Sequence, residues 1–289
     1  VTPQDFDYLR QMLRERSGLV LSAEKQYLAE SRLLPVARKY GLAGLSELMA
    51  KLKTAAIAAP INVEVIEAMM TNESFFFRDK VPFDHFTSTI MSALLAARRC
   101  EKRIRIWCTA AATGQEPYSL AMALKGLGAA LAGFRIDILA TDIATEVLEK
   151  AKVGIYSQFE VQRGLPIQQL VKFFTQVGEA WQIAPEIRGM VQFRPLNLLN
   201  DFSSLGIFDV VFCRNVLIYF DHATKVSVLN RIATQMPADG YLILGAAETV
   251  VGLTEAFKPI PDKRGLYQPH VAAARPAPNN NVLKFVAKA

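Results

Sequence analysis

The stretch Ile104-Arg-Ile-Trp-Cys-Thr-Ala-Ala-Ala-Thr-Gly-Gln-Glu-Pro-Tyr-Ser119 decides the fold, because an apolar strand pattern runs into a loop of small residues and out into a helix. Ile104, Ile106 and Cys108 alternate with Arg105 and Trp107, the period of a strand. Ala110, Ala111, Ala112 and Gly114 then strip bulk from the point where backbone turns closely around a ligand. Pro117 suits the first helical position, which makes Glu116 the expected cap. A dinucleotide enzyme would carry G-x-G-x-x-G here to seat a pyrophosphate on the helix amino end. This loop lacks that pattern and bears a carboxylate, which repels phosphate and attracts a cation. The ligand so described has adenosine-like size, no pyrophosphate and positive charge, and S-adenosylmethionine meets all three conditions. An ordinary strand-to-helix turn whose alanines only pack is the alternative.

The rhythm continues toward the carboxyl end. Apolar runs predict strands at Arg135–Ala140, Val191–Pro195, Phe208–Cys213 and Tyr241–Gly245, with helices at Ala144–Lys152 and Lys225–Gln235. Such alternation implies an α/β fold, a largely parallel sheet with helices on both faces. Ligands bind these sheets at the strands' carboxyl ends, near the point where strand order reverses. Residues 157–190 interrupt the pattern and suggest a helix followed by a short antiparallel excursion.

Toward the amino end the pattern is helical. Thr2-Pro3 forms a capped start, Phe6, Leu9 and Leu13 recur at helical spacing, and Gly18 ends the run. Glu24 to Tyr40 reads as a second helix, kinked or broken at Pro35, and Leu45–Leu52 and Asn62–Met70 as two more. The expected organisation is a small helical domain over residues 1–70, a connector at 71–80 that contributes to the active site, and a sheet domain over 81–270 opened by a helix at Phe83–Arg98. The tail from Val271, rich in Pro and Asn, is expected to be disordered.

With 289 residues, 51% of them apolar and 21% charged, the chain has the balance of a globular protein with a substantial core. No apolar run approaches the roughly 18 residues of a membrane span, and the amino terminus lacks a secretory pattern, so a cytoplasmic location without membrane insertion is expected. Three scattered cysteines and three scattered histidines argue against a disulfide framework and a metal site. The net charge of +6 favours acidic partners, but no Lys/Arg cluster or recognised motif points to nucleic acid. Residues 1–56 hold nine Lys/Arg against six Asp/Glu, half of the whole excess, which places a candidate docking surface on the helical domain. Monomer is the default state.

The chemistry-bearing residues fall at strand ends or in the connector. Asp142 follows the second strand, where a carboxylate accepts hydrogen bonds from ribose hydroxyls, or else caps the helix after Ile143. Asn197-Leu198 follows the next strand and suits an adenine edge or a simple turn. Phe212-Cys-Arg-Asn-Val-Leu-Ile-Tyr-Phe-Asp221 lacks the prolines of amino-group methylases, and its Tyr219 is either a wall of the transfer channel or a half-buried aromatic. Thr71-Asn-Glu-Ser-Phe-Phe-Phe-Arg78 is too polar at its ends and too aromatic in its middle for a plain linker. Over the pocket it would offer Asn72, Ser74 and an Arg78 clamp; otherwise it is a packing hinge.

Together, Thr71–Arg78, Thr113–Ser119, Thr141–Ile143 and Phe212–Asp221 resemble, in order, the signature segments of the chemotaxis receptor methyltransferases, the CheR family, over nearly all of residues 1–270. The resemblance implies a helical amino-terminal domain, an S-adenosylmethionine-dependent methyltransferase sheet and an antiparallel β-subdomain inserted at about 157–193. It implies donor contacts from Asn72, Ser74, Arg78, Glu116, Asp142, Asn197, Leu198, Arg214 and Asn215, with Arg78 and Tyr219 at the transfer site. The implied reaction esterifies glutamate carboxylates on the cytoplasmic helical bundle of chemoreceptors and releases S-adenosylhomocysteine. Arg32 and Arg38 match the family's receptor-docking helix, although Pro35 and Val36 stand where some relatives have arginines. Thr175-Gln-Val-Gly-Glu-Ala-Trp181 is shorter and poorer in glycine than the loop with which some members hold a receptor's terminal pentapeptide, so independence from that tether is expected. Two competing readings are a nicotinamide-dependent oxidoreductase, which the missing glycines disfavour, and a non-catalytic receptor-binding adaptor.

Overall fold

The computed structural model describes residues 2–56 and 59–270, so the expected tail disorder lies outside the described residues. Four helices come first: α1 (Pro3–Ser17), α2 (Gln26–Lys39), α3 (Leu45–Thr54) and α4 (Pro60–Met69). The Thr2 side chain accepts a hydrogen bond from Asp5 N, and Gly18 ends α1 at φ 77, a left-handed conformation that glycine adopts without steric cost. Phe6, Leu9 and Leu13 meet Leu33, Leu48 and Val65 in one core, each side chain stabilising the unit by about 1.5–3 kcal/mol. α2 runs unbroken across Pro35, contrary to the expected break. Pro35 and Ser31, whose carbonyl loses its partner there, are both exposed, so water replaces the missing bond.

After the connector, α5 (Val81–His85), a π-helical turn at Phe86–Ile90 and α6 (Met91–Ala97) make one helical run into β1 (Arg103–Cys108). Then come α7 (Gln115–Gly126), β2 (Arg135–Asp142) and α8 (Thr145–Val153). The insertion holds β3 (Ile155–Ser157), α9 (Gln158–Gln162), α10 (Ile167–Phe173), β4 (Phe174–Val177) and β5 (Ala180–Ile183). The chain closes with α11 (Pro185–Arg188), β6 (Val191–Pro195), β7 (Val210–Cys213), α12 (His222–Thr234), β8 (Tyr241–Leu244), β9 (Phe257–Pro259) and β10 (Leu266–Pro269).

Seven strands form the main sheet in the order β6-β2-β1-β7-β8-β10-β9, and three form a small sheet in the order β3-β5-β4. The first five of the main sheet are parallel, and β10 runs antiparallel to both β8 and β9. From β1 the chain moves outward to β2 and β6, then returns to β7 and β8 on the other side, so the strand order reverses between β1 and β7. Alternate residues enter opposite cores. Ile104, Ile106, Ile138, Ala140 and Phe212 lie in one, and Trp107, Leu139, Val211 and Leu242 in the other, the pattern of a sheet covered on both faces.

The helical unit is fastened to the carboxyl-end side of this sheet. Arg14 pairs with Asp221 at 2.7 Å, Val20 N donates to Tyr219 O at 2.9 Å, and Thr145 N and Oγ1 both donate to Glu67 at 2.7 Å. That docking closes a cavity over the switch point.

Candidate functional site

The carboxyl ends of β1, β2, β6 and β7, the connector and the end of α1 line a cavity that opens to solvent. Ten residues singled out in the sequence line it. Asn72, Ser74 and Arg78 come from the connector, Glu116 from α7, Asp142 from β2, Asn197 and Leu198 from the loop after β6, and Arg214, Asn215 and Tyr219 from the loop after β7.

The small-residue loop is spanned by hydrogen bonds to both neighbouring strands: Thr109 N donates to Phe212 O and Ala111 N to Thr141 O, each at 2.9 Å. Ala110 and Ala112 face the cavity, and Ala112 is held at φ 46. Gly114 does not serve the ligand. A Cβ there would stand 2.9 Å from Ala151 Cβ and 3.1 Å from Tyr156 Oη, so its bareness lets α8 and the insertion close on the loop. The helix also opens two residues earlier than expected, with Gly114 as cap at φ 94 and Gln115 first. Glu116 is therefore inside the first turn, and Pro117 is tolerated there because first-turn amides lack intrahelical acceptors.

Asp142 is not the cap of α8, which is Ala144. Its Oδ1 accepts Ala144 N at 3.0 Å, and its Oδ2 accepts Ala112 N at 2.8 Å, fixing the small-residue loop. The carboxylate retains acceptor capacity toward the cavity. Burial pushes its pKa up, and the amides of Ala144 and Ala112 pull it back. Burial likewise raises Glu116, opposed by the charge of Arg214. Arg214 spends its donors inside the protein, on Glu116 Oε2 at 2.8 Å, Asp79 Oδ2 at 2.7 Å and Arg78 O at 3.0 Å, with its side chain 1% exposed. It shapes the wall by joining α7 to the connector. The Asn197 amide is similarly engaged, its Oδ1 accepting Leu199 N and its Nδ2 donating to Arg16 O, which makes it a turn asparagine that also binds α1.

The connector is both hinge and wall. Phe76 is fully buried in the sheet core, and Phe77 N donates to Ser119 Oγ at 2.9 Å. Arg78 Nη1 donates to Glu73 O at 2.9 Å, and its guanidinium carbon lies 5.5 Å from the Phe75 ring. The same ring carries Arg163 at 4.4 Å, and Arg163 pairs with Glu73 at 2.6 Å, so the insertion holds the connector in place. Tyr219 is half-buried, packing against both the helical core and one sheet core while it faces the cavity.

Sequence reasoning missed Ser17, Leu19, Thr109 and Ile143 as lining residues. Ser17 and Leu19 carry no local signal, since only domain docking brings them to the sheet. Thr109, a small polar residue directly after β1, was legible, and its buried Oγ1 makes no hydrogen bond. Arg32 and Arg38 lie outside the cavity. Arg32 donates to Met69 O at 2.7 Å and Met70 O at 2.9 Å and to Thr71 Oγ1, bracing the end of α4, while Arg38 is exposed. Among the described residues there is no cluster suited to a metal ion, and no helix is long and apolar enough to cross a membrane.

Two family profiles match the chain: CheR methyltransferase, SAM binding domain, over residues 72–266, and CheR methyltransferase, all-alpha domain, over residues 4–62. Chemotaxis protein methyltransferase 1 of Pseudomonas aeruginosa is 39% identical over 268 residues, covering 91% of this chain and 96% of that protein. Chemotaxis protein methyltransferase 1 of Vibrio cholerae is 37% identical over 261 residues, covering 89% and 94%. Chemotaxis protein methyltransferase Cher2 of Pseudomonas putida is 36% identical over 268 residues, covering 91% and 96%.

Proposed function

Since this chain belongs to the CheR methyltransferase family and carries its S-adenosylmethionine-binding domain, we propose that it methylates particular glutamate side chains on the cytoplasmic helical bundle of chemoreceptors. The products are a glutamate methyl ester and S-adenosylhomocysteine. The observation that carries this reading is the cavity at the switch point, which collects candidate residues from five separated segments and has no glycine-rich phosphate cradle.

The groups present fit the donor. Asp142 has acceptor capacity for ribose hydroxyls, and the unpartnered Thr109 Oγ1 offers a further polar contact. When bound, S-adenosylmethionine supplies a methyl group made electrophilic by its cationic sulfur. A glutamate of pKa about 4.3 is already ionised at neutral pH, so no side chain has to remove a proton. What the protein contributes is alignment and exclusion of water. Arg78, half-buried at the cavity wall with donors left over from its bond to Glu73, orients the incoming carboxylate. Tyr219 shapes the transfer channel, and neither residue is covalently modified. Each ester removes one negative charge from the receptor bundle and weakens like-charge repulsion there.

Docking falls to the helical domain, with exposed Arg38 on α2 toward the acidic receptor and Arg32 engaged mainly in bracing α4. The enzyme acts in the cytoplasm as a monomer, without a terminal-peptide tether. Calorimetric titration with S-adenosylmethionine, S-adenosylhomocysteine and NAD is expected to show one-site binding of the first two and none of the third. Arg78→Ala is expected to abolish methyl transfer to receptor cytoplasmic fragments while leaving a folded protein. An unchanged rate would remove Arg78 from the mechanism, and binding of neither adenosyl ligand would leave the adaptor reading.

A further inference from the structure

Beyond the cavity wall, one carboxylate has an unusual set of partners. Glu248 follows β8, and its Oε2 accepts Asn215 N at 2.8 Å and Gly245 N at 2.7 Å, while its Oε1 accepts Val216 N at 3.0 Å and Ile218 N at 3.3 Å. Four amide donors match the four lone-pair sites of an ionised carboxylate. The group is thereby saturated and is not free to act as a base or to hold a ligand.

Three of those amides belong to the loop after β7, which also supplies Arg214 and Tyr219. That loop turns back at Asn215, held at φ 58, a conformation that asparagine visits more readily than other side-chain-bearing residues. Its bend exposes consecutive amides, which need an acceptor. Gly245 completes the arrangement: a Cβ there would lie 2.7 Å from Glu248 Oε2 and 3.0 Å from Asn215 N. Bare backbone at the end of β8 is therefore the condition for the carboxylate to reach the loop.

We propose that Glu248 is a positioning residue for methyl transfer, its carboxylate folding residues 214–218 into the shape that presents Asn215 and Tyr219 to the donor cavity. The proposal rests on the methyltransferase reading above. Glu248 itself does not line the donor cavity, so its effect reaches the reaction only through the loop.

Steady-state methylation of receptor cytoplasmic fragments, S-adenosylhomocysteine calorimetry and thermal unfolding test this on the full chain with Glu248→Ala, Glu248→Gln and Gly245→Ala. A displacement of about 1 Å at the reacting groups costs about 100-fold, so kcat is expected to fall by about that factor in Glu248→Ala. Glu248→Gln, which keeps one acceptor oxygen, should be intermediate, and Gly245→Ala should reproduce the loss from the opposite side. The dissociation constant for S-adenosylhomocysteine should stay within about threefold of the wild type, because most donor contacts lie on other segments. A kcat for Glu248→Ala within about threefold of wild type overturns the proposal, as does a rate loss that merely tracks the unfolded fraction. Where the wild-type protein binds the adenosyl ligands, these variant results condemn the positioning role alone; wild-type protein that binds neither overturns the parent reading and this one together.

Discussion

Gly114 shows how much one missing Cβ decides. At φ 94, with Ala151 Cβ 2.9 Å and Tyr118 and Tyr156 atoms 3.1 Å from where a Cβ would stand, it has neither the conformation nor the space for a side chain. Gly114→Ala is expected to cost roughly 2–4 kcal/mol, combining left-handed strain with overpacking. Urea unfolding should show this as a lower midpoint at unchanged slope; a midpoint equal to wild type would show that α8 and the insertion yield. Other strained residues sit nearby: Phe77, Asp79, Lys80, Ala112 and Asn215 all have positive φ without being glycine. They belong to the connector and to loops beside the cavity, where such conformations survive because surrounding structure over-determines them. Ala112 and Phe77 were not legible as strained in the sequence, being residue types with no preference for left-handed backbone. Asp142 was legible as a carboxylate at a strand end, but its bonds to the amides of Ala112 and Ala144 were not, since the loop that carries Ala112 lies thirty residues away in sequence.

Elements were readable where burial imposes a strict period and unreadable where it does not. β7 and β8, read at Phe208–Cys213 and Tyr241–Gly245, form at Val210–Cys213 and Tyr241–Leu244 with every residue buried, because a strand inside a two-sided sheet must be apolar. β9, a three-residue edge strand with Lys258 and Pro259 exposed, and β10, the four-residue strand beside it, escaped notice. α2 escaped the expected break because its proline is on the solvent side. The β4–β5 hairpin is closed by only Gly178 and Glu179, with Val177 paired to Ala180. Gly178 is at φ 61, which fits a two-residue turn. Such a tight turn has no length to wrap a bound peptide, which supports the proposed independence from a terminal-peptide tether. Titration with a receptor's carboxyl-terminal pentapeptide is accordingly expected to show no micromolar binding, and saturable micromolar heat would reverse that conclusion.

At the scale of the molecule, function depends on the helical unit closing over the sheet. Asp221 stands at that junction, capping α12 through Thr224 N at 2.8 Å and pairing with Arg14 of α1 at 2.7 Å. The Thr224 amide and hydroxyl, then Arg14, draw its pKa down to about 2. A carboxyl whose folded pKa lies below its unfolded value of about 3.9 stabilises fully above that unfolded value. That contribution disappears as pH falls through about 2. Stability measured against pH is therefore expected to drop between about 4 and 2 in the wild type, and less steeply in Asp221→Asn, which keeps a capping oxygen but loses the charge; identical curves would show that the charge does not support docking. By itself the sequence determined the α/β class, the position of the ligand loop and the cluster of donor-site candidates, because strand periodicity and small or acidic residues at strand ends act over a few neighbours. Tertiary structure alone decided that Arg214 faces inward to Glu116 and Asp79, that Ser17 and Leu19 roof the cavity, and that Glu248 gathers the amides of a distant loop. Those arrangements join residues about thirty to two hundred positions apart, and only the packing of whole elements brings such partners within hydrogen-bonding reach.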